Sequence, residues 1–210
     1  MRFARAVLLA AASFAVTATV AMAHPHVWVV VKAELLYEPG GKVTGVRHHW
    51  TFDEAYSTYA VQGLDTNGDG VYSRDELAEL AKVNAESLSE FSYFTSLKAD
   101  GKRQDLATPV EPWLEHSAGQ LTLHFTLPVK EPSVARRTLI LDVADPTFFV
   151  DFSYAEDDSA ITLTGAPKNC VAQVTRPKKP DSAQQKLSED YFANANMGLQ
   201  FASKVIVACP

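Results

Sequence analysis

Two runs near the start of the chain constrain its fold most. His26 to Tyr37 and Val43 to Phe52 alternate apolar and polar side chains and are rich in valine. Successive strand residues face opposite sides, so this period-two pattern gives each run one buried and one exposed face. Glu38-Pro39-Gly40-Gly41 between them is turn chemistry, so the pair reads as a β-hairpin. Similar patterning predicts strands over 95–99, 104–110, 120–127, 137–143, 147–154, 160–164, 171–175 and 204–208. Those at 147–154 and 160–164 are joined across Glu156-Asp157-Asp158-Ser159. Short strands at regular spacing predict an α+β chain with a β-rich body, a sandwich or an open antiparallel sheet.

Helical signals fall in two places. Residues 53–97 read as an insertion between strands, with a short helix after Asp53-Glu54 and a longer one from Ser73 to about Phe91. Asp181 caps a further expected helix over 182–199 near the C-terminus. Residues 24–210 are expected to form one domain.

The most specific chemistry is in the insertion. Asp65, Asn67 and Asp69 stand at positions 1, 3 and 5 of a twelve-residue EF-hand loop, where side-chain oxygens meet a hard cation. Gly70 permits the sharp turn at position 6, and Val71 offers its carbonyl at position 7. Ser73 fills position 9, and Glu76 at position 12 would close a calcium site with both oxygens. A simple Asn/Asp/Gly turn accounts for most of these residues but not for Glu76 in register. No second such loop follows. A lone hand in an extracytoplasmic chain fits a standing calcium ion better than a signalling one.

The first 23 residues have the plan of a secretory signal peptide: Arg2 and Arg5, an Ala-rich apolar stretch, then Ala21-Met22-Ala23. Cleavage there predicts a periplasmic or secreted product with no membrane-spanning segment. Loss of the two arginines takes the formal net charge from −6 to −8. An acidic surface disfavours nucleic acid and suits cations. The only cysteines, Cys170 and Cys209, are expected to pair in an oxidising compartment.

Four of the six histidines lie close to the new amino terminus: His24, His26, His48 and His49. A terminal His24 would offer amine and imidazole to one late transition ion. Pro25 has no N–H, which blocks square-planar binding through backbone amides. If Tyr37 pairs with Lys42, His26 lies opposite Asp53, and either His48 or His49 can join a site, since the two face opposite sides. His24, His26, His48 or His49 and Asp53 are therefore the candidate ligands for zinc, nickel or copper. His124 alternates against the Leu121/Leu123/Phe125 face and is expected on the other side of its strand.

Several stretches together carry a family likeness. They are His24-Pro25-His26-Val27-Trp28-Val29, Trp50-Thr51-Phe52-Asp53-Glu54, the acidic loop, Asp145-Pro146-Thr147-Phe148-Phe149-Val150-Asp151-Phe152 and the terminal cysteine pair. The chain resembles an uncharacterised periplasmic family described as a component of ABC-type transport systems. Its members are similar to companions of zinc or nickel/cobalt transporters. The resemblance implies metal handling in the envelope, with a membrane metal transporter as partner.

The leading expectation is thus a non-catalytic metal-binding accessory or chaperone for transition-metal transport, with calcium held separately in the loop. A calcium-stabilised structural domain and a copper oxidase built on the His24 clamp are the alternatives. The sequence has no Gly-x-Ser-x-Gly, HExxH or phosphate loop to support a hydrolase or nucleotide enzyme.

Overall fold

The computed structural model describes residues 25–178 and 197–209. The leader, His24 and most of the expected 182–199 helix lie outside these residues.

The first hairpin forms as β1 (Val27–Glu38) and β2 (Lys42–Phe52). There follow α1 (Glu54–Ala60), α2 (Ala78–Ser87), β3 (Thr95–Ala99), β4 (Lys102–Arg103), β5 (Val110–Ser117) and β6 (Gln120–Val134). The chain continues through β7 (Thr138–Val143), β8 (Val150–Tyr154), β9 (Ile161–Thr164), β10 (Val171–Thr175) and β11 (Lys204–Ala208). One sheet runs β5-β6-β2-β1-β8, with β9 also on β1; the second runs β10-β11-β7-β3-β4.

Alternation settles which faces meet. Val29, Val31, Leu35, Trp50, Leu123 and Phe125 of the first sheet share one buried cluster with Leu97, Leu139, Leu141 and Val205 of the second. The rings of Phe125 and Phe152 pack on Trp50 at 4.9 and 4.8 Å between centroids. The opposite face of the first sheet is half-exposed and polar, and it carries Glu34, Arg47, His49 and His124. The insertion is fastened to the sheet through Ser57 of α1, whose buried hydroxyl accepts the Leu121 N–H at 2.9 Å.

Several expected elements differ. Residues 104–109 make only the isolated bridge Leu106–Val129, and continuous pairing starts at Val110. Pro109 and Pro112 each lack an N–H, which limits them to edge positions and bulges. Pro112 lies where the β5–β6 register shifts. The strands β8 and β9, joined across 156–159 as expected, both run parallel to β1, one beside each half of it. The long helix expected from Ser73 to Phe91 is shorter: α2 ends at Ser87, and a 3-10 segment over Leu88–Phe94 breaks at Phe91. There Ser92, Tyr93 and Phe94 all have positive φ.

Cys170 and Cys209 are joined by a disulfide. They flank the paired ends Val171 and Ala208, so the bridge staples β10 to β11 at the edge of the second sheet.

Candidate metal-binding sites

Residues 65–76 form a loop held by its own oxygens. Asp65 Oδ1 accepts the N–H groups of Gly68 (2.8 Å) and Asp69 (3.2 Å), and Oδ2 accepts that of Gly70 (3.0 Å). Asn67 Oδ1 accepts from Asp69 N–H, and Asp69 Oδ1 from Val71 N–H, both at 2.8 Å. Glu76 closes the ring. Its Oε1 accepts from the Thr66 N–H and hydroxyl, and its Oε2 from those of Ser73, at 2.8–2.9 Å.

Asp65 Oδ2, Asn67 Oδ1 and Asp69 Oδ1 each hold one N–H and keep a lone pair for a cation, whereas Asp65 Oδ1 and both Glu76 oxygens already hold at least two donors each, which an ion would have to displace. Gly70 adopts φ +79°, a left-handed conformation that costs glycine little. The donors around Glu76, first the Ser73 N–H, push its carboxyl down to about 2. The loop leaves directly into α2 through buried Leu77, whose N–H reaches Ser73 O at 3.1 Å. Tyr72 ties it sideways to β5, its ring 4.8 Å from that of His116.

The expected histidine cluster does not assemble. The β1–β2 register places Val29 opposite Phe52, and Asp53 meets Trp28 instead of His26. The cause is two one-residue shifts. Glu38 itself pairs with Lys42, which shortens the turn, and Thr44 bulges between the Val43 and Gly45 pairings. Asp53 is a structural cap: Oδ1 accepts Tyr56 N–H at 2.9 Å and Oδ2 accepts Trp28 N–H at 3.0 Å. His26 stacks on Phe149 at 4.7 Å. It lies six residues along the chain from Lys32, the partner of His49. That is roughly 20 Å at ~3.3 Å per residue, too far to share an ion.

His48 belongs to the core. Trp50 Nε1 can only donate, so its 3.2 Å contact makes His48 Nδ1 an acceptor and puts the proton on Nε2. Nε2 lies 3.3 Å from Thr95 Oγ1, which donates on to Tyr93 O at 2.8 Å. Burial, then the charge of His49, push its pKa down to about 3. Neither nitrogen is left for a metal.

His49 finds a partner the sequence reading did not assign. On the polar face of the first sheet its Nδ1 lies 2.6 Å from His124 Nδ1, while its Nε2 lies 3.1 Å from Glu34 Oε1. Burial alone would raise the Glu34 carboxyl, but the His49 hydrogen bond and the Arg47 guanidinium at 3.0 Å hold it below its usual value. An ionised Glu34 only accepts, so His49 carries its proton on Nε2 and turns the Nδ1 lone pair toward His124. Behind His124, Glu115 Oε2 is 3.5 Å from Nε2. Trp113 lies flat on the His124 ring at 3.8 Å, and Arg74 of the acidic loop covers Trp113 at 4.5 Å.

Two imidazoles thus face each other through Nδ1; His49 is backed by Glu34, while among the described residues His124 Nε2 is buried without a hydrogen-bond partner, with Glu115 at 3.5 Å. With the His124 proton on Nδ1, the 2.6 Å contact is an N–H···N hydrogen bond to the His49 lone pair, and a metal ion held by both nitrogens would take that proton's place. Burial, His49 and Arg74 push the His124 pKa down to about 4, which keeps the ring neutral, with one N–H. Among the described residues no three His, Cys, Asp or Glu groups converge so as to hold a metal. The pair therefore supplies two ligands and no more. Trp113 and Glu115 were not legible in the sequence because β5 was not, and the role of Arg74 was hidden with its partner Trp113. The signal was Ala118-Gly119, both with positive φ, a two-residue turn between alternating runs.

Comparison with known proteins finds a relative in Spirochaeta aurantia, an "Uncharacterized 15.5 kDa protein in trpE 3'region". It is 28% identical over 118 residues, 56% of this chain and 84% of the relative. Residues 9–209 match a family described as "Protein of unknown function (DUF1007)". That match covers nearly the whole chain, both sheets and the acidic loop included, and the protein belongs to this family.

Proposed function

We propose that the protein is a non-catalytic, extracytoplasmic metal-binding protein that carries calcium in residues 65–76 and exchanges a transition-metal ion at His49 and His124. The observation that carries this reading is the pair of facing Nδ1 atoms, with the His49 ring backed by Glu34 and Glu115 lying 3.5 Å from the His124 ring. A carboxylate behind a ligating imidazole fixes its tautomer and raises its basicity. Zinc–nitrogen bonds of ~2.0–2.1 Å in a tetrahedron hold two nitrogens about 3.3 Å apart, so the rings need open by only about 0.7 Å from their present 2.6 Å. Borderline imidazole nitrogen suits zinc, nickel or copper.

A two-ligand site leaves coordination positions for water or for a donor from another protein. That suits an accessory that passes its ion to a membrane transporter better than one that stores it. The disulfide suits an oxidising compartment. Among the described residues no helix is long and apolar enough to cross a membrane.

Calorimetry on the mature protein tests both sites. His49→Ala/His124→Ala should lose zinc and nickel uptake while calcium binding persists, and Glu76→Gln should do the reverse. Full transition-metal uptake by the double variant would sink the histidine assignment. Its loss instead in His24→Ala/His26→Ala would return the site to the amino terminus. Calcium-dependent melting with no transition-metal effect in any form would leave only a calcium-stabilised structural domain.

A further inference from the structure

A second site lies on the opposite side of the first sheet. Between the inner end of that sheet, α2 and the 145–150 loop is a cavity of about 500 Å³. This is within the ~300–1,000 Å³ of small-molecule pockets. Its wall is largely aromatic, with Trp50 and Phe152 buried, Phe52 and Phe94 half-buried, and Phe91 and Phe149 exposed at the mouth. We propose that this cavity binds a small uncharged apolar or aromatic molecule bearing a single hydrogen-bonding group. The proposal is independent of the metal reading.

Three observations carry it. First, the rim is not closed, as a packing seam would be: Phe91 is 56% exposed and Phe149 45%. Second, the backbone is strained on both sides of the mouth. Ser92, Tyr93 and Phe94 are consecutive non-glycine residues with φ of 51°, 57° and 47°, and Phe148 has φ 58°. These residues carry or adjoin the rim rings, and strain of this kind gathers at ligand clamps.

Third, the polar lining selects the ligand's charge. Among the described residues no lysine or arginine lines the cavity, so a carboxylate or phosphate would meet no counter-charge. The only acid on that lining, Asp145, is already committed. Its Oδ1 accepts the Thr147 N–H and hydroxyl at 2.8 Å, and its Oδ2 the Val150 N–H at 3.1 Å. The Tyr56 hydroxyl and the Asn84 carboxamide remain on the lining to meet one polar group.

The test is titration of the mature, calcium-saturated protein with N-phenyl-1-naphthylamine, a neutral probe that brightens in apolar sites. Saturable one-to-one binding with energy transfer from tryptophan is expected, displaced by 1-dodecanol at lower concentration than by dodecanoate. Ser87→Trp and Asn84→Phe, which add bulk from solvent-side lining positions, should each weaken the probe at least tenfold without lowering the melting temperature. Non-saturating uptake, or full affinity in both variants, overturns the site. Preferential displacement by dodecanoate overturns the uncharged ligand. Equal binding by wild type and His49→Ala/His124→Ala separates this pocket from the metal reading.

Discussion

Asp53 offers the sharpest contrast between a ligand and a structural carboxylate. In Asp53→Ala two bonds disappear: the cap on Tyr56 N–H at 2.9 Å and the tie to Trp28 N–H at 3.0 Å. Replacing a helix-capping Asp with Ala costs about 1 kcal/mol. A hydrogen bond to a charged acceptor is worth ~1.5–3 kcal/mol when buried. The second bond is solvent-exposed, so its share should fall to about 1 kcal/mol. The sum, about 2 kcal/mol, corresponds to a fall of roughly 4–8 °C in melting temperature for a chain of this size. Asp53→Asn keeps a capping oxygen and should lose less than half of this. Urea unfolding followed by tryptophan fluorescence gives the free energies, and calorimetry on the same samples gives zinc and nickel affinity. A stability loss with unchanged affinity marks Asp53 as a structural carboxylate. An Asp53→Ala protein as stable as wild type but unable to bind zinc would refute it and restore Asp53 as a ligand.

His48→Ala removes a buried ring that stacks on Phe125 at 5.0 Å and accepts from Trp50 Nε1, so about 3–4 kcal/mol of stability should go, again without change in metal uptake. Urea midpoints check the first and calorimetry the second. Cys170→Ser/Cys209→Ser opens a 39-residue separation and should cost roughly 3–4 kcal/mol in the chain-entropy picture, read as a lower midpoint of denaturation that reducing agent no longer shifts. Asp100 accepts the N–H groups of Thr138, Arg136 and Arg137, which hold its carboxyl below the usual value. A group depressed in the folded state stabilises above its unfolded pKa, and that contribution is lost as pH falls through its folded pKa. Asp100→Asn should therefore be less stable than wild type at neutral pH, and the two acid-unfolding curves should converge as the pH falls below the usual aspartate range. A gap that does not narrow as the pH falls would mean the carboxylate charge is not responsible.

What patterning could and could not decide is visible in two registers. Alternation placed the correct faces of β1 and β2 together, yet the expected pairing of His26 with Asp53 is wrong by two residues. A slip of two preserves every inside-outside assignment, so hydrophobic patterning cannot detect it. The candidate ligands of the 65–76 loop needed no long-range register, since they lie in one continuous stretch. Cys170 and Cys209 were legible because only one pairing exists. The face of His124 was legible too, but not its partner.

The same ambiguity hid the histidine pair, and one residue shows how the fold resolves it. Sliding β2 by one residue against β6 would turn Phe125 and Leu123 to solvent, which their burial forbids. Sliding by two would bring His49 opposite Thr122 or Thr126, which alternation alone allows. Gly45 disfavours that choice. It sits opposite Pro128, where a Cβ would lie 2.8 Å from Leu127 O, so this crossing accepts only a residue without a side chain. A slip of two brings Val43 or Arg47 to the same spot, and either would collide with that carbonyl. The glycine therefore sets the register that places His49 against His124. Gly45→Ala should loosen the pair and weaken zinc binding even though the substitution lies four residues from the nearer histidine.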